Sequence, residues 1–293
     1  MSTTATTLTT PTRDDRRNRA TRPTALPGVL RLGLLRTRYE LRAFFRDRMT
    51  FIFVFIYPVL MLVIFATAFG TGPGSFGDLD LTFPQYFLPG MIATGVMLSS
   101  FQNVATSIAV ERDEGALKRL YGTPLPPASY FLGKVGQVLV ACVLQIALLL
   151  AVAAVAFGVP LPHDAGRWAT FAWVFVLGAA SGAVCGVAFS SVLRSGRGAS
   201  AVVTPVVLVL QFLSGVFFQF NNLPGWMQSL ASVFPLKWMA QGMRSVFLPE
   251  QALVLEPSGS WQHGVTAAVL AAYLVVGLVV GVRTFRWLRH DDH

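Results

Sequence analysis

Glu111-Arg112-Asp113-Glu114 sets four ionisable side chains in a row, and Gly115, Leu117, Lys118 and Arg119 follow within five residues. Thr123-Pro-Leu-Pro-Pro127 and Gly133-Lys134 complete the segment, which lies between two apolar blocks long enough to cross a bilayer. The chemistry it offers is ionic docking: carboxylates and guanidinium groups presented to an aqueous partner. A plain solvated loop would account for its basic residues, but not for Glu111, Asp113 and Glu114. Glu114 and Lys118 stand four apart, a spacing that pairs them on a short helix, 111–120, continuing the preceding block. Gly115 leaves room for another surface, and the proline run forces a turn. Segment 111–134 reads as a kinked bracket fixed to the ends of two membrane helices.

The other reactive groups do not converge. Leu132-Gly-Lys-Val135 lacks the first glycine and the hydroxyl of a phosphate-binding loop, so ATP hydrolysis by that route is excluded. His163, His263, His290 and His293 are scattered through loops and the tail, without evident partners. Cys142 and Cys185 sit in apolar blocks as small hydrophobes, without disulfide or metal spacing. The expectation is a chain with no catalytic centre, metal or cofactor of its own.

The bracket must be held by membrane helices. Of 293 residues 54% are hydrophobic and 13% charged, about half the charge of a soluble domain. Six blocks lack Asp, Glu, Lys, Arg and His: 49–70, 83–110, 135–158, 168–193, 199–220 and 265–282. About 20 helical residues span the hydrocarbon core, so the expected fold is an all-α integral membrane protein with six transmembrane helices. Twenty of the 23 basic side chains then fall on one side, leaving Arg167, Lys237 and Arg244 on the other. The positive-inside rule puts both termini in the cytoplasm. The formal charge of +9 is met by anionic headgroups, without nucleic acid.

Residues 1–29 read as a disordered cytoplasmic tail and 283–293 as a second tail. Over 30–48, Leu30, Leu34, Thr37, Leu41 and Phe44/Phe45 recur at helical spacing while Arg31, Arg38, Arg42 and Arg46 gather on one flank. That pattern predicts an amphipathic elbow helix lying in the membrane interface, guanidinium groups at the lipid phosphates. Pro224 and Pro235 open two short helices within 221–250. Neither is long enough to span, so they are expected to dip back into the membrane as re-entrant outer helices, with Trp226, Phe234, Trp238 and Phe247 at its interface.

With these spans in place, the chain resembles the ABC-2 type permeases, membrane subunits of ATP-binding-cassette exporters, on the daunorubicin/doxorubicin-resistance branch. The resemblance covers nearly everything from residue 30. It rests on Glu111-Arg, Gly115, Leu117-Lys118, Thr123-Pro-Leu-Pro126, Tyr130 and Gly133-Lys134, then on Leu213-Ser-Gly-Val-Phe-Phe218, Leu223-Pro, Trp226, Phe234-Pro235 and Arg244. It implies that Glu111 to Arg119 form a coupling helix seated in a separate ATPase subunit, which carries the ATP and Mg. It further implies two ATPase copies, a second permease chain (identical or closely related), and residence in the bacterial cell membrane.

A transport path follows less directly. Ser99, Gln102, Asn103 and Thr106 on the second span, and Gln211 and Ser214 on the fifth, are uncharged polar groups that lipid disfavours; they should face the bundle interior or a cavity. Phe101 and Phe212 would add apolar lining. Hydrogen bonds that merely hold the bundle together would explain the same residues. The resemblance places the second and fifth spans at the dimer interface and favours a path for a hydrophobic or amphipathic compound. Two other functions stay open: an ATP-independent secondary transporter, disfavoured by blocks without ionisable groups, and a membrane assembly or sensor protein that transports nothing.

Overall fold

The computed structural model describes residues 28–70, 76 and 79–285. Among them the chain is built of helices, with a single isolated bridge, Phe76–Leu79. Most of the two expected tails lies outside the described residues; Val29 opens a helix and Thr284 closes one.

Helix α1, Val29–Arg46, covers most of the segment 30–48 expected as an elbow helix. Asp47 ends it and caps the next: its carboxylate accepts from the Met49 and Thr50 amides, two donors that a helix start leaves free. Helix α2, Arg48–Phe69, follows without an intervening loop. Thr82 and Gln85 form a reciprocal capping box that starts the next run. That run, α3, passes from Phe83–Met97 through a π-helical turn, Leu98–Gln102, into Asn103–Asp113. The remaining helices are α4, Ala116–Tyr121; α5, Pro127–Phe157; α6, Ala165–Ser190; α7, Gly196–Leu213; α8, Gly225–Val233; α9, Pro235–Phe247; and α10, His263–Thr284.

Five of these, α2, α5, α6, α7 and α10, are long and apolar enough to cross a membrane. The sixth expected span is α3, which is the centre of the bundle: every residue from Tyr86 to Phe101 is buried. Helices α2, α5, α6, α7 and α9 surround it. Its polar run, Ser99 to Thr106, makes it less apolar than the others, and neighbours rather than lipid supply the partners.

Several boundaries move. Helix α5 begins at Pro127, not Val135, because Lys134 is paired inside the protein and does not end the helix; Pro127 needs no amide partner at a first-turn position. The expectation that no span carries an ionisable residue is thereby corrected. Helix α7 stops at Leu213 instead of reaching Phe220, since Gly215 turns the chain with φ +66°. Trp238 and Phe247, expected at a lipid interface, are buried, because α9 packs between α3 and α6 with every residue enclosed; Trp226 remains exposed. His263 is not without partners: its Nε2 lies 2.8 Å from Ser245 Oγ.

The ends of the described chain meet at one end of the bundle. Ser129 Oγ donates to Val29 O over 3.1 Å, and the Phe285 ring packs 5.1 Å from that of Phe131. The 190–196 turn joins them through the bracket described below. At the opposite end, buried Arg244 holds Glu256 at 2.6 Å and donates to Gly215 O at 3.4 Å, tying α9 to the end of α7.

Candidate functional site

The bracket has roots and a tip. Arg112 Nη2 donates to Ser190 O and Leu193 O, each at 2.7 Å, placing a cation on the orphan carbonyls at the end of α6. Asp113 Oδ2 accepts from Gly196 N at 3.2 Å, placing an anion at the start of α7. Two adjacent side chains thus fasten the end of α3 to two other helices. Gly115 then breaks the helix in the left-handed region, φ +70°, where a Cβ is disfavoured. The expected uninterrupted helix 111–120 is therefore two pieces, with Gly115 at the bend between them. Helix α4 is anchored by fully buried Leu117. What remains exposed is Glu114, Lys118 and Arg119, continuing into 121–124.

Glu111 points inward. Its Oε1 lies 2.7 Å from Lys134 Nζ and 3.5 Å from Arg36 Nη2, and its Oε2 accepts from Tyr130 OH at 2.8 Å. Lys134 also reaches Glu40 Oε2 at 2.9 Å and Ser107 Oγ at 3.2 Å, while Arg36 pairs with Glu40 one turn away. Lys134 and Glu40 are only 3% and 5% exposed. The cluster bolts α1, α3 and α5 together. Its geometry is allowed by Gly133 on α5, where a Cβ would stand 2.3 Å from Arg36 Cγ.

Helix α1 shows three faces. Gly33, Glu40 and Phe44 are buried and Thr37 half-buried against α5. Leu30, Leu34 and Phe45 form an exposed apolar strip, and Arg31, Arg38, Arg42 and Arg46 an exposed basic flank beside it. Phe44 thus belongs to the core and not to the outward apolar face.

Of the expected path residues, Gln102, Asn103 and Thr106 line one slot between α2, α3 and α7, and the others lie apart from it. Gln102 Nε2 donates to Thr204 Oγ1 of α7 at 3.4 Å, and Thr106, one turn on, donates to its own helix backbone. Asn103 Nδ2 instead faces α5, donating to Gln137 Oε1 at 3.1 Å. Phe101 packs on Phe189 of α6, and Gln211 accepts from Tyr57 OH of α2 at 2.8 Å. Ser99 and Ser214 are buried, and Phe212 is exposed beside Phe217. Much of this set joins helices to one another.

Sequence reasoning missed Arg36, Glu40 and Gln137. The four-residue spacing of Arg36 and Glu40 was the available signal; nothing local ties Glu40 to Lys134, which is 94 residues away.

The ABC-2 type transporter model matches residues 34–248. The chain is similar to the inner membrane transport permease YadH of Escherichia coli, 28% identical over 65% of this chain and 74% of that protein. It is 25% identical to the probable multidrug ABC transporter permease YbhR of Escherichia coli, over 62% of this chain and 49% of the relative. It is also 25% identical to the daunorubicin resistance ABC transporter permease protein DrrB1 of Streptomyces coeruleorubidus, over 80% of this chain and 78% of that one. ABC-2 permeases partner with ABC ATPase subunits. A multi-pass membrane bundle whose family match takes in both the anchored bracket and the buried α9 helix belongs to the ABC-2 type transporter permeases.

Proposed function

We propose that the chain is the membrane subunit of an exporter moving a hydrophobic or amphipathic compound, powered by a separate ATPase that grips the exposed tip of the bracket. The observation that carries this reading is the division of one short segment. Glu114, Lys118 and Arg119 face outward, while Glu111, Arg112, Asp113 and Leu117 are built into the bundle. A push on such a tip is delivered to α1, α5, α6 and α7 at once, because each holds a root. Two ATPase copies carrying ATP and Mg, and a second permease chain, complete the assembly. Both chain ends and the bracket face the cytoplasm, where most of the positive charge lies. The basic flank of α1 then meets lipid phosphates while its apolar strip enters the acyl layer.

The test uses inside-out vesicles containing the chain and a co-expressed ABC ATPase that co-purifies with it. Accumulation of an amphipathic dye should require ATP and survive an uncoupler. Accumulation without ATP that collapses with the uncoupler would mean secondary transport. No accumulation, and no ATPase retained on purification, would favour a protein that transports nothing.

A further inference from the structure

A cavity of about 540 Å³ opens between α1, α3, α4 and α5, beside the charge cluster. It falls within the volumes of sites that hold drug-sized ligands. Its outer rim includes Glu114, Arg119 and Thr123 of the exposed tip, while the rest of its lining lies inside the bundle of this one chain. At its inner end Thr50, Asn103, Thr106 and Ser200 also line a slot of about 120 Å³ between α2, α3 and α7. The slot therefore adjoins the cavity across these four side chains, and its lining extends to Gln102 and Thr204.

The lining identifies a ligand class. Gln137 is 2% exposed, and its Nε2 has no hydrogen-bond partner among the described residues; its Oε1 is already used by Asn103. Arg36 Nε is likewise buried without a partner. Buried donors left unpaired cost about 1–3 kcal/mol each, so two in one cavity point to acceptors that arrive from outside. Formal charge is nearly balanced: Glu40, Asp47, Glu111 and Glu114 face Arg36, Arg119 and Lys134. Arg36 and Lys134 are held by carboxylates of the cluster, so an anionic ligand finds no free counter-charge at either, and exposed Arg119 donates to Glu114 O. Apolar walls come from Ala43, Phe44, Val110 and Leu120.

We infer that this cavity is a loading site for an uncharged amphipathic compound rich in carbonyl, ether or hydroxyl oxygens. The oxygens accept from Gln137 Nε2 and Arg36 Nε, and the apolar part lies against Phe44 and Leu120. From there the compound reaches the slot between α2, α3 and α7. The inference rests on the export reading for its purpose, but its binding step needs only this chain.

The test is cysteine protection in the full-length chain in phosphatidylcholine nanodiscs. Ser200 is exposed and lines both spaces, so S200C reports on them, with the unsubstituted chain as background for Cys142 and Cys185. Digoxin, neutral and oxygen-rich, should slow maleimide labelling of S200C at least threefold. Rhodamine 6G, a cation, and fluorescein, an anion, should slow it less than 1.5-fold. Adding Gln137→Leu should abolish digoxin protection, and so should Thr106→Phe, which fills the passage without touching the donors. Equal protection by all three probes, no protection by digoxin, or protection that survives both substitutions would overturn the site. Digoxin protection without ATP-driven transport in vesicles would overturn the export reading instead and leave the site standing.

Discussion

Lys134 is the side chain on which the bracket end of the bundle depends. Its ammonium is shared by Glu40 and Glu111, carboxylates from two other helices. A buried ion pair adds little net stability over a well-packed apolar substitute, but removing one partner strands a charge and costs about 3–5 kcal/mol. Lys134→Met should therefore lower the thermal midpoint in detergent sharply, and adding Glu40→Leu should recover part of the loss. An unchanged midpoint in the single variant would contradict the pairing. At the far end, burial holds the Lys237 ammonium down at about 8, with Glu256 opposing and Arg244 adding to the effect. Between pH 8 and the ordinary lysine range the unfolded chain holds more protons than the folded one, so stability rises with pH there. Wild type should gain on Lys237→Met between pH 8 and 10, read as the difference in melting midpoints. A constant difference would show that Lys237 is not desolvated.

At the scale of elements, the bend at Gly115 and the crossing of α1 over α5 carry the mechanics. Asn tolerates the left-handed conformation and Ala does not, by about 1 kcal/mol. Gly115→Asn should keep ATP-driven transport, Gly115→Ala should reduce it, and Gly115→Trp should abolish it. Equal rates in all three would mean that the bend is irrelevant. Gly133→Val would drive a side chain into Arg36 and its backbone, lifting α1 from α5. Tryptic cleavage within Arg31–Arg46 should accelerate at least tenfold, and unchanged cleavage would contradict the packing. Most of these elements were legible in the sequence, because charge-free blocks of membrane length admit few structures. The elbow was legible from its heptad-like apolar residues and basic flank. The start of α5 was not, because a charge reads as the end of a span unless its partner is known, and Glu40 is distant in sequence. The interior position of α9 was likewise hidden, since its Lys237 and Arg244 look solvent-facing until Gln241 and Glu256 are seen to satisfy them.

For the whole molecule, one end gathers Val29, the bracket, the 190–196 turn and Phe285, and the other is closed by α8 and α9. The central helix α3 joins the ends, reaching from its capping box at Thr82 to the bracket at Asp113. The bracket and the contact with α9 thus lie on one helical run, on which the proposed push would act. Such a molecule suits alternation between two openings driven from one side. The segment Glu111 to Arg119 stood out in the sequence by its composition, but its division into roots and tip required the three-dimensional partners of Glu111, Arg112 and Asp113. That division is most directly tested by reversing the tip alone. With Lys118→Glu and Arg119→Glu together, the chain should keep its wild-type melting midpoint, while the co-expressed ATPase is lost from affinity-purified complex by at least tenfold. Full retention of the ATPase on a well-folded variant would contradict the assignment of the bracket tip as the docking surface.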